Sequence, residues 1–181
     1  MTLPNPIAQL WDDLQAVRAE ILAEVRGLSQ RQSDWKPGER EWSVGEVIHH
    51  LTVAEVNTGK LTTKLLKEPQ ASGGSAEFPA DLMTLAPVPR GAAGRADAPP
   101  VVWPDHGKPV GDLLEALTAT RERSRQSIDK LATCDPRTLT FTHARLGSLD
   151  LAQWWLLQAE HDRDHLGQIR SIKAAPGFPP S

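Results

Sequence analysis

Apolar residues recur at steps of three and four along four separate segments of the chain, a spacing typical of amphipathic helices. The segments span about residues 6–28, 43–67, 110–131 and 149–174. In the first segment the repeat consists of Ile7, Leu10, Leu14, Val17, Ile21 and Val25. Four helices of this length, without a comparable strand pattern, predict an all-α fold, and a four-helix bundle would bury their apolar faces.

The ends of these segments carry residues that favour helix boundaries. Gly27 favours a stop after the first segment. Ser43 is followed three residues later by Glu46, which is the spacing of a capping box, so the second helix is predicted to begin there. Pro69 ends the second helix, because proline cannot continue the helical hydrogen bonds.

The stretch 69–109 has no helical spacing and is rich in glycine, proline and alanine. Irregular stretches of about 40 residues are unusual inside a compact domain and tend to have a functional role. Because neither flanking half forms a self-sufficient core, we predict one domain over residues 1–181, with this loop lying across it. Before the fourth helix, the alternation around Leu139–Thr142 indicates a short extended segment.

Composition and charge exclude several classes of protein. The formal net charge is −3, so no basic surface is expected for nucleic acid or for an anionic membrane. The N-terminus lacks the basic and apolar regions of a secretory signal, and no apolar run approaches the roughly 20 residues of a membrane span. The single cysteine, Cys134, allows no intrachain disulfide. We therefore expect a cytoplasmic protein that binds neither nucleic acid nor membranes.

The fourth predicted helix contains two histidines, His161 and His165, four residues apart. On a helical wheel both fall within roughly 50° of the centre of the apolar stripe, so both imidazoles are predicted to face the bundle interior. A lone interior histidine is commonly a core residue bonded to a carbonyl or a carboxylate. Two on adjacent turns, about 5–6 Å apart, can also reach one metal ion. The spacing alone leaves both interpretations open.

The second predicted helix contains a further pair, His49 and His50. His49 lies roughly opposite the apolar stripe of this helix, where we expect a surface residue or a subunit contact. His50 lies on the flank of the stripe, from which a side chain can lean toward a neighbouring helix. His50 is therefore the better candidate for a third metal ligand beside His161 and His165.

The other histidines and the cysteine carry weaker signals. His106 is predicted to be an ordinary loop residue. His143, which precedes the histidine-bearing helix, is expected either to approach the site or to fix the hydrogen bonds of the connection. Cys134 is predicted to be a small residue at the end of the third helix, without a chemical role.

No catalytic residue can be named from the sequence, so the general base and the nucleophile are unknown. Three acidic residues lie near the histidines along the chain, namely Glu55, Asp162 and Asp164. Solvated helix charges are the simpler interpretation for each of them. Asp162 projects nearest the inward stripe, and is the best candidate among them for orienting an imidazole.

Two stretches, taken together and in order, resemble the DinB-like (DinB/YfiT) superfamily of metal-binding four-helix bundles. The first is EWSVGEVIHHLTVAE, similar to a family motif in which the histidine directly before leucine binds metal. The second is THARLGSLDLAQWWLLQAEHDRDHLGQI, similar to the family ending with His-x-x-x-His and Gln-Ile. The resemblance places the ligand role on His50, His161 and His165. Ala144 stands where many relatives have proline, which concerns only the shape of that connection.

The resemblance implies a bundle of up-down-down-up type, one divalent ion (nickel, zinc or iron) and a homodimer. It also implies a metal-dependent enzyme that activates a thiol or water: a thiol S-transferase using a low-molecular-weight thiol, or a hydrolase, acting on a small-molecule substrate. The alternative is a stress-associated metal-binding protein without catalysis. Three ligands favour catalysis, because structural sites more usually close with four.

Positions can also be predicted for three aromatic residues. In the enzyme interpretation the loop at 69–109 shapes a substrate pocket, with Trp103 or Phe78 as an apolar wall. Trp11 is expected either in the dimer contact or in the core of the first helix.

Overall fold

The computed structural model describes residues 2–67, 77–89 and 99–180. The helices within these ranges are α1 (Asn5–Val25), α2 (Gln30–Asp34), α3 (Val44–Lys67), α4 (Val110–Leu131) and α5 (Leu151–Ala174). Two short antiparallel strands, β1 (Thr140–His143) and β2 (Gly147–Asp150), form a hairpin directly before α5. None of these helices carries an apolar stretch long enough to cross a membrane. The four long helices confirm the predicted all-α bundle.

Two arginines cross between α1 and α4 and show that these helices run in opposite directions. Arg18 donates from Nη1 to the carbonyl oxygen of Leu117 over 3.0 Å. Arg121, one turn further along α4, donates to the carbonyl oxygen of Leu14, one turn earlier on α1. A later residue on α4 thus pairs with an earlier residue on α1, which is the antiparallel arrangement.

Polar contacts show that α3 and α5 are also antiparallel. Thr58 donates to Oε1 of Gln158 over 3.3 Å. One turn later on α3, the hydroxyl of Thr62 accepts from Nε1 of Trp155 over 3.0 Å. The indole of Trp155 is fully buried, so this bond satisfies its only polar group.

Surface ion pairs show that α1 and α5 run in parallel. Arg163 pairs with Asp13, and Lys173 pairs with Glu24 over 2.8 Å. Later residues of α1 thus pair with later residues of α5, so these two helices are parallel. The helices α3 and α4 run in the opposite direction. This is the up-down-down-up bundle that the family resemblance implied. Because α3 and α4 are parallel neighbours, the connection between them must return along the bundle, a distance of about 36 Å for a 24-residue helix.

Two helix boundaries differ by two or three residues from the approximate bounds expected. The first helix ends at Val25, three residues before 28. Gly27, the expected stop, adopts a φ of +78°, and the chain turns there into α2, which the periodicity did not predict. The last helix begins at Leu151 and not at 149, because Leu149 and Asp150 pair with β1. Asp150 then caps α5 in a capping box.

The other ends of the long helices lie within one residue of the expected positions. The predicted capping box at the start of α3 forms: the Ser43 amide donates to Oε2 of Glu46 over 2.7 Å, and the Glu46 amide donates to the Ser43 hydroxyl over 3.1 Å. The expected extended segment around Leu139–Thr142 is the first strand of the hairpin.

The described part of the long connection is irregular, as predicted, apart from a 3-10 turn over Pro100–Val102. Residues 69–76 and 90–98 of that prediction lie outside the described residues. Phe78 packs against the hydrophobic core and is not a free pocket wall, whereas Trp103 is 59 % exposed.

The core consists of two apolar clusters stacked along the bundle axis. One lies at the end that includes the start of α1 and the start of α5, and its largest buried members are Ile7, Leu14, Ile128, Leu131, Leu151 and Trp155. The other lies at the opposite end, with Ile21, Val47, Ile48, Leu51, Leu117 and Ile169 among its buried members. Each long helix contributes to both clusters.

A layer of four charged side chains separates the two clusters, with one residue from each long helix: Arg18, Glu55, Arg121 and Asp162. We call this layer the charged quartet. Its side chains are at most 4 % exposed. Two positive and two negative charges balance, which is the condition under which ions can be buried at all.

Each carboxylate in the charged quartet receives hydrogen bonds from both guanidinium groups. Arg18 lies 2.7 Å from Glu55 and 2.8 Å from Asp162, and Arg121 lies 2.7 Å from Glu55 and 2.9 Å from Asp162. Burial opposes the charge on Arg18, but the carboxylates of Asp162 and Glu55 outweigh it, so the pKa of Arg18 lies above its ordinary value. The quartet thus ties all four helices at one level.

Removing one member of the charged quartet should destabilise the protein strongly. We expect Arg121→Met to lower the free energy of unfolding by about 3–5 kcal/mol, because it leaves a buried carboxylate without its partner. The double variant Arg121→Met/Glu55→Met should recover part of this loss, because the remaining pair, Arg18 and Asp162, carries no net charge. Urea unfolding followed by circular dichroism measures both.

The matched control is Arg125→Met on the same helix. Arg125 pairs with Asp129 at the surface, where both side chains are more than a third exposed, so its loss should cost under about 1 kcal/mol. Equal effects of Arg121→Met and Arg125→Met would contradict the role assigned to the quartet.

Candidate metal centre

Three histidines from two helices meet at one point beside the charged quartet. His50 comes from α3, and His161 and His165 come from adjacent turns of α5. The Nε2 atom of His161 lies 3.0 Å from Nε2 of His50 and 3.1 Å from Nε2 of His165. One nitrogen of each ring lies within 4.8 Å of the others. The structure therefore brings together the three histidines that the sequence selected.

In His50 and His165 the Nδ1 atom donates a hydrogen bond to an acceptor, and this determines the tautomer of each ring. His50 donates from Nδ1 to the carbonyl oxygen of Val102 over 2.7 Å. His165 donates from Nδ1 to Oε1 of Gln168 over 2.7 Å. A neutral imidazole that donates from Nδ1 carries a lone pair on Nε2. Both rings therefore present lone pairs toward His161, in the orientation that metal-binding histidines adopt.

His161 cannot satisfy both neighbours by itself. A proton on its Nε2 can be donated well to one of the two facing lone pairs, and the other is then left without a donor. Its Nδ1 is buried and has no partner among the described residues. The three Nε2 atoms are thus incomplete as a hydrogen-bond network, whereas a cation among them would engage a lone pair from each ring. Nδ1 of His161 lacks a partner among the described residues in either case.

Burial keeps the three imidazoles neutral. Desolvation lowers the pKa of His161 to about 2, with further contributions from His165, His50 and Arg18. Desolvation also lowers the pKa of His50 to about 4, although the bond to Val102 opposes this. The pKa of His165 is lowered for the same reason, against the opposing effect of Gln168. Neutral imidazole is the form that binds metal ions.

Aromatic and polar side chains form the surroundings of the histidines. The indole of Trp42 lies 4.8 Å from the His50 ring and stacks at 6.1 Å on the His165 ring, measured between centroids. A cavity of about 560 Å³ borders His165 and is also lined by Trp42, Asp164 and Gln168. This volume lies in the range of small-molecule sites.

The chain segment 99–109, which we call the strap, passes across α3 beside these histidines. The carbonyl of Val102 receives the hydrogen bond from His50 described above. His49 accepts the backbone N–H of Asp105 at its Nδ1 over 2.8 Å. His49 stays at the surface and is half-buried, in keeping with the predicted surface position, and the strap covers part of the side of α3 that periodicity alone assigns to water.

The acidic neighbours take roles that the sequence did not predict. Glu55 and Asp162 are not solvated charges, because they belong to the charged quartet and are fully buried. Neither accepts a hydrogen bond from an imidazole; the remaining oxygen of Asp162 accepts from Gln158 over 2.9 Å. Asp164 is exposed, as expected. The groups that orient the imidazoles are therefore an amide and a backbone carbonyl.

The remaining candidates lie away from the three histidines. His143 accepts backbone N–H groups of Arg145 and Leu146 at 3.2 Å and so fixes the hairpin turn, which was one of its two predicted roles. His106 is exposed and lies 3.7 Å from Glu46. Trp11 packs against the core cluster at the start of α1.

Sequence reasoning missed the residues that support the site. Gln168 stands three residues after His165, a spacing at which helical side chains meet, and this signal was available. Arg18 and Arg121 fall within the apolar stripes of their helices, where a charge is unexpected and indicates a buried partner. The bond to Val102 carried no such signal, because a backbone carbonyl has no sequence signature.

The fold and the site together define a class of protein: an up-down-down-up four-helix bundle with three clustered histidines on its second and fourth long helices. The sequence model of the DinB superfamily matches residues 13–169. The chain therefore belongs to the DinB superfamily.

Individual relatives agree with this assignment. The uncharacterized protein YuaE of Bacillus subtilis (strain 168) is 27 % identical over 157 residues, which cover 86 % of this chain and 92 % of YuaE. Among solved structures, YfiT from Bacillus subtilis superposes with a TM-score of 0.62 at 17 % identity, covering 96 % of this chain and 89 % of YfiT. YfiT is described as a probable metal-dependent hydrolase with an unusual four-helix bundle topology. TT2238, a four-helix bundle protein, superposes with a TM-score of 0.55 at 18 % identity, covering 91 % of this chain and 98 % of TT2238.

Cys134 should react slowly with alkylating reagents at neutral pH. Burial, together with Asp135, raises the pKa of its thiol to about 11, and only the thiolate is reactive. We expect iodoacetamide to modify the folded protein on the order of 100-fold more slowly at pH 8 than the urea-unfolded protein. The rate should rise continuously as the pH approaches 11. A folded protein that reacts as fast as the unfolded chain would contradict this, and would reopen Cys134 as a nucleophile.

Proposed function

We propose that His50, His161 and His165 bind one divalent metal ion through their Nε2 atoms. The observation that carries the proposal is the convergence of three neutral imidazoles whose Nε2 atoms lack a complete set of hydrogen-bond partners. Metal ligands of this kind usually donate their other ring nitrogen to a second group, and His50 and His165 both do so. Imidazole nitrogens suit zinc, nickel and iron, and the donor set alone does not select among them.

We further propose that the bound metal is catalytic. Three neutral ligands leave the charge of the ion uncompensated and at least one coordination position open, which distinguishes catalytic from structural zinc sites. Bound there, a divalent ion supplies Lewis acidity and lowers the pKa of a coordinated water or thiol. The cavity beside His165 offers room for a small-molecule substrate.

Of the reactions that such a metal centre can catalyse, we propose hydrolysis as the first candidate. The similarity in fold to YfiT, itself described as a probable metal-dependent hydrolase, supports this choice. Within the site, Trp42 and the strap shield one side of the histidines from solvent. The charged quartet keeps α3 and α5 at a fixed separation, so that the three rings stay aimed at one point.

Transfer of a low-molecular-weight thiol is the second candidate, and one observation favours it. Both oxygens of Glu55 are bound by arginines, and those of Asp162 by the arginines and Gln158, so neither buried carboxylate is free to accept a proton. A thiol, which is more acidic than water, depends less on such a base.

Metal analysis tests the site directly. We expect protein purified without added metal, then loaded with Zn²⁺ and desalted, to retain about one ion per chain. His161→Ala should lose the ion, because two imidazoles remain and the central ligand is gone. Elemental analysis by mass spectrometry gives the stoichiometry.

The control for the metal analysis is His143→Ala, which removes a histidine of the hairpin and leaves the three ligands in place. It should bind as much zinc as the unchanged protein. Full occupancy in His161→Ala, with circular dichroism confirming that the variant is folded, would rule out the three-histidine site.

An activity screen separates hydrolysis from thiol transfer and from binding alone. The metal-loaded protein is incubated with a panel of ester, amide and phosphoester substrates, and in a second arm with bacterial thiols and electrophiles. We expect turnover in the first arm that disappears on chelation and returns with metal. Turnover confined to the thiol arm would replace the first candidate by the second. Metal-dependent turnover in neither arm would favour the non-catalytic metal-binding protein.

A further inference from the structure

Two neighbouring histidines on α3 hold the strap through opposite hydrogen bonds. His50 donates from Nδ1 to the carbonyl oxygen of Val102 over 2.7 Å, whereas His49 accepts the N–H of Asp105 at Nδ1 over 2.8 Å. The two strap residues are three positions apart. The strap is therefore clamped at two points that bracket Trp103 and Pro104.

The partner of His50 is unusual because it belongs to a loop and not to a helix of the bundle. The other oriented ligand, His165, has its partner Gln168 one turn away on the same helix, where the backbone fixes the geometry. The Val102 carbonyl has no such support from α3 itself. Its position depends on what holds the strap to the helix.

The far end of the strap is tied to α2. Gln30 donates to the carbonyl oxygen of Lys108 over 3.0 Å and accepts the N–H of Val110 over 2.8 Å. The 3-10 turn at Pro100–Val102 stabilises the near end locally. Between these two anchors, the Asp105 N–H bonded to His49 is a backbone contact that holds the strap against α3 beside the histidines. The His106 side chain of the strap also lies 3.7 Å from Glu46 of the same helix.

We propose that His49 is a positioning residue of the metal centre: by holding the strap at Asp105, it keeps the Val102 carbonyl on Nδ1 of His50 and so aims His50 Nε2 at the ion. This inference rests on the proposed metal site. His49 does not face the other two histidines and is not a ligand. It acts through the strap and His50.

The consequence is a measurable dependence of metal affinity on a residue that does not bind the metal. Loss of a group that orients a metal-binding histidine typically weakens metal binding by about 10–100-fold. His49→Leu removes the acceptor at similar volume, so we expect the dissociation constant for Co²⁺ to rise within this range. The visible absorption of bound Co²⁺ should change as well, since it reports on the geometry of the ligands.

Rescue distinguishes positioning from a general structural effect. In His49→Asn the side-chain oxygen stands near the place of Nδ1 and can accept the Asp105 N–H. We expect this variant to bind Co²⁺ nearly as tightly as the unchanged protein. His106→Leu makes the same chemical change at an exposed strap position, where the contact to Glu46 is 3.7 Å, and serves as the matched control.

The test uses the full chain in metal-free form, with Co²⁺ titrated and followed by absorbance and calorimetry. Thermal unfolding of each metal-free variant shows whether it is folded. Should His49→Leu fail to fold, Asp105→Pro removes the N–H donor from the opposite side of the same bond and should weaken binding in the same way.

The outcomes separate this inference from the proposed function. Weakened Co²⁺ binding in His49→Leu, with recovery in His49→Asn and no change in His106→Leu, supports the positioning role. Tight binding in His49→Leu with an unchanged spectrum overturns that role and leaves the metal site intact. Equal losses in His49→Leu and His49→Asn also overturn it, because the acceptor would then be irrelevant. If the unchanged protein binds no Co²⁺, the metal site itself is rejected.

Discussion

Four buried charges, one from each long helix, are the constraint on which the other parts of this structure depend. Arg18, Glu55, Arg121 and Asp162 divide the apolar interior into two clusters and form ion pairs with one another across the bundle. Burying ions is costly unless their partners are in place, so arrangements of the helices that separate these four groups are disfavoured. Apolar contacts alone are less selective, since they tolerate rotation and sliding.

The candidate metal centre lies directly beside this layer. Asp162 follows His161 in the chain, and Glu55 stands just over one turn after His50, so the residues that lock α3 and α5 together also set the distance between the histidines. A site of three rings from two helices needs such a fixed separation, because small displacements would pull one Nε2 away from the others. On the side of the charged quartet, ion pairs fix the helices that carry the histidines. On the other side, hydrogen bonds to Gln168 and the strap orient the rings.

The bundle topology explains why the strap exists. In the up-down-down-up arrangement α3 and α4 are parallel, so the chain between them has to travel back along the bundle. The end of that connection passes the histidines and contributes the Val102 carbonyl to His50. A long loop that composition alone marks as irregular is thereby turned into part of the site. Because the strap passes over α3, part of the face of this helix that would otherwise meet solvent contacts the strap.

The sequence by itself determined the four helices and the all-α class, because helical periodicity is a local property. It also selected the three histidines that cluster in the structure, His161 and His165 from their spacing and His50 from its position on the flank of the apolar stripe, together with the family motifs. Periodicity did not reveal the short helix after Gly27, although the capping box between Ser29 and Gln32 marks its start. Neither did it determine the roles of His49, Glu55 and Asp162. A helical wheel assigns each side chain a direction but not a neighbour, and whether a charge meets water or an arginine depends on residues 37 to 144 positions away. Only the tertiary structure could decide those partners, because hydrogen bonds and ion pairs require atoms within about 3 Å of each other.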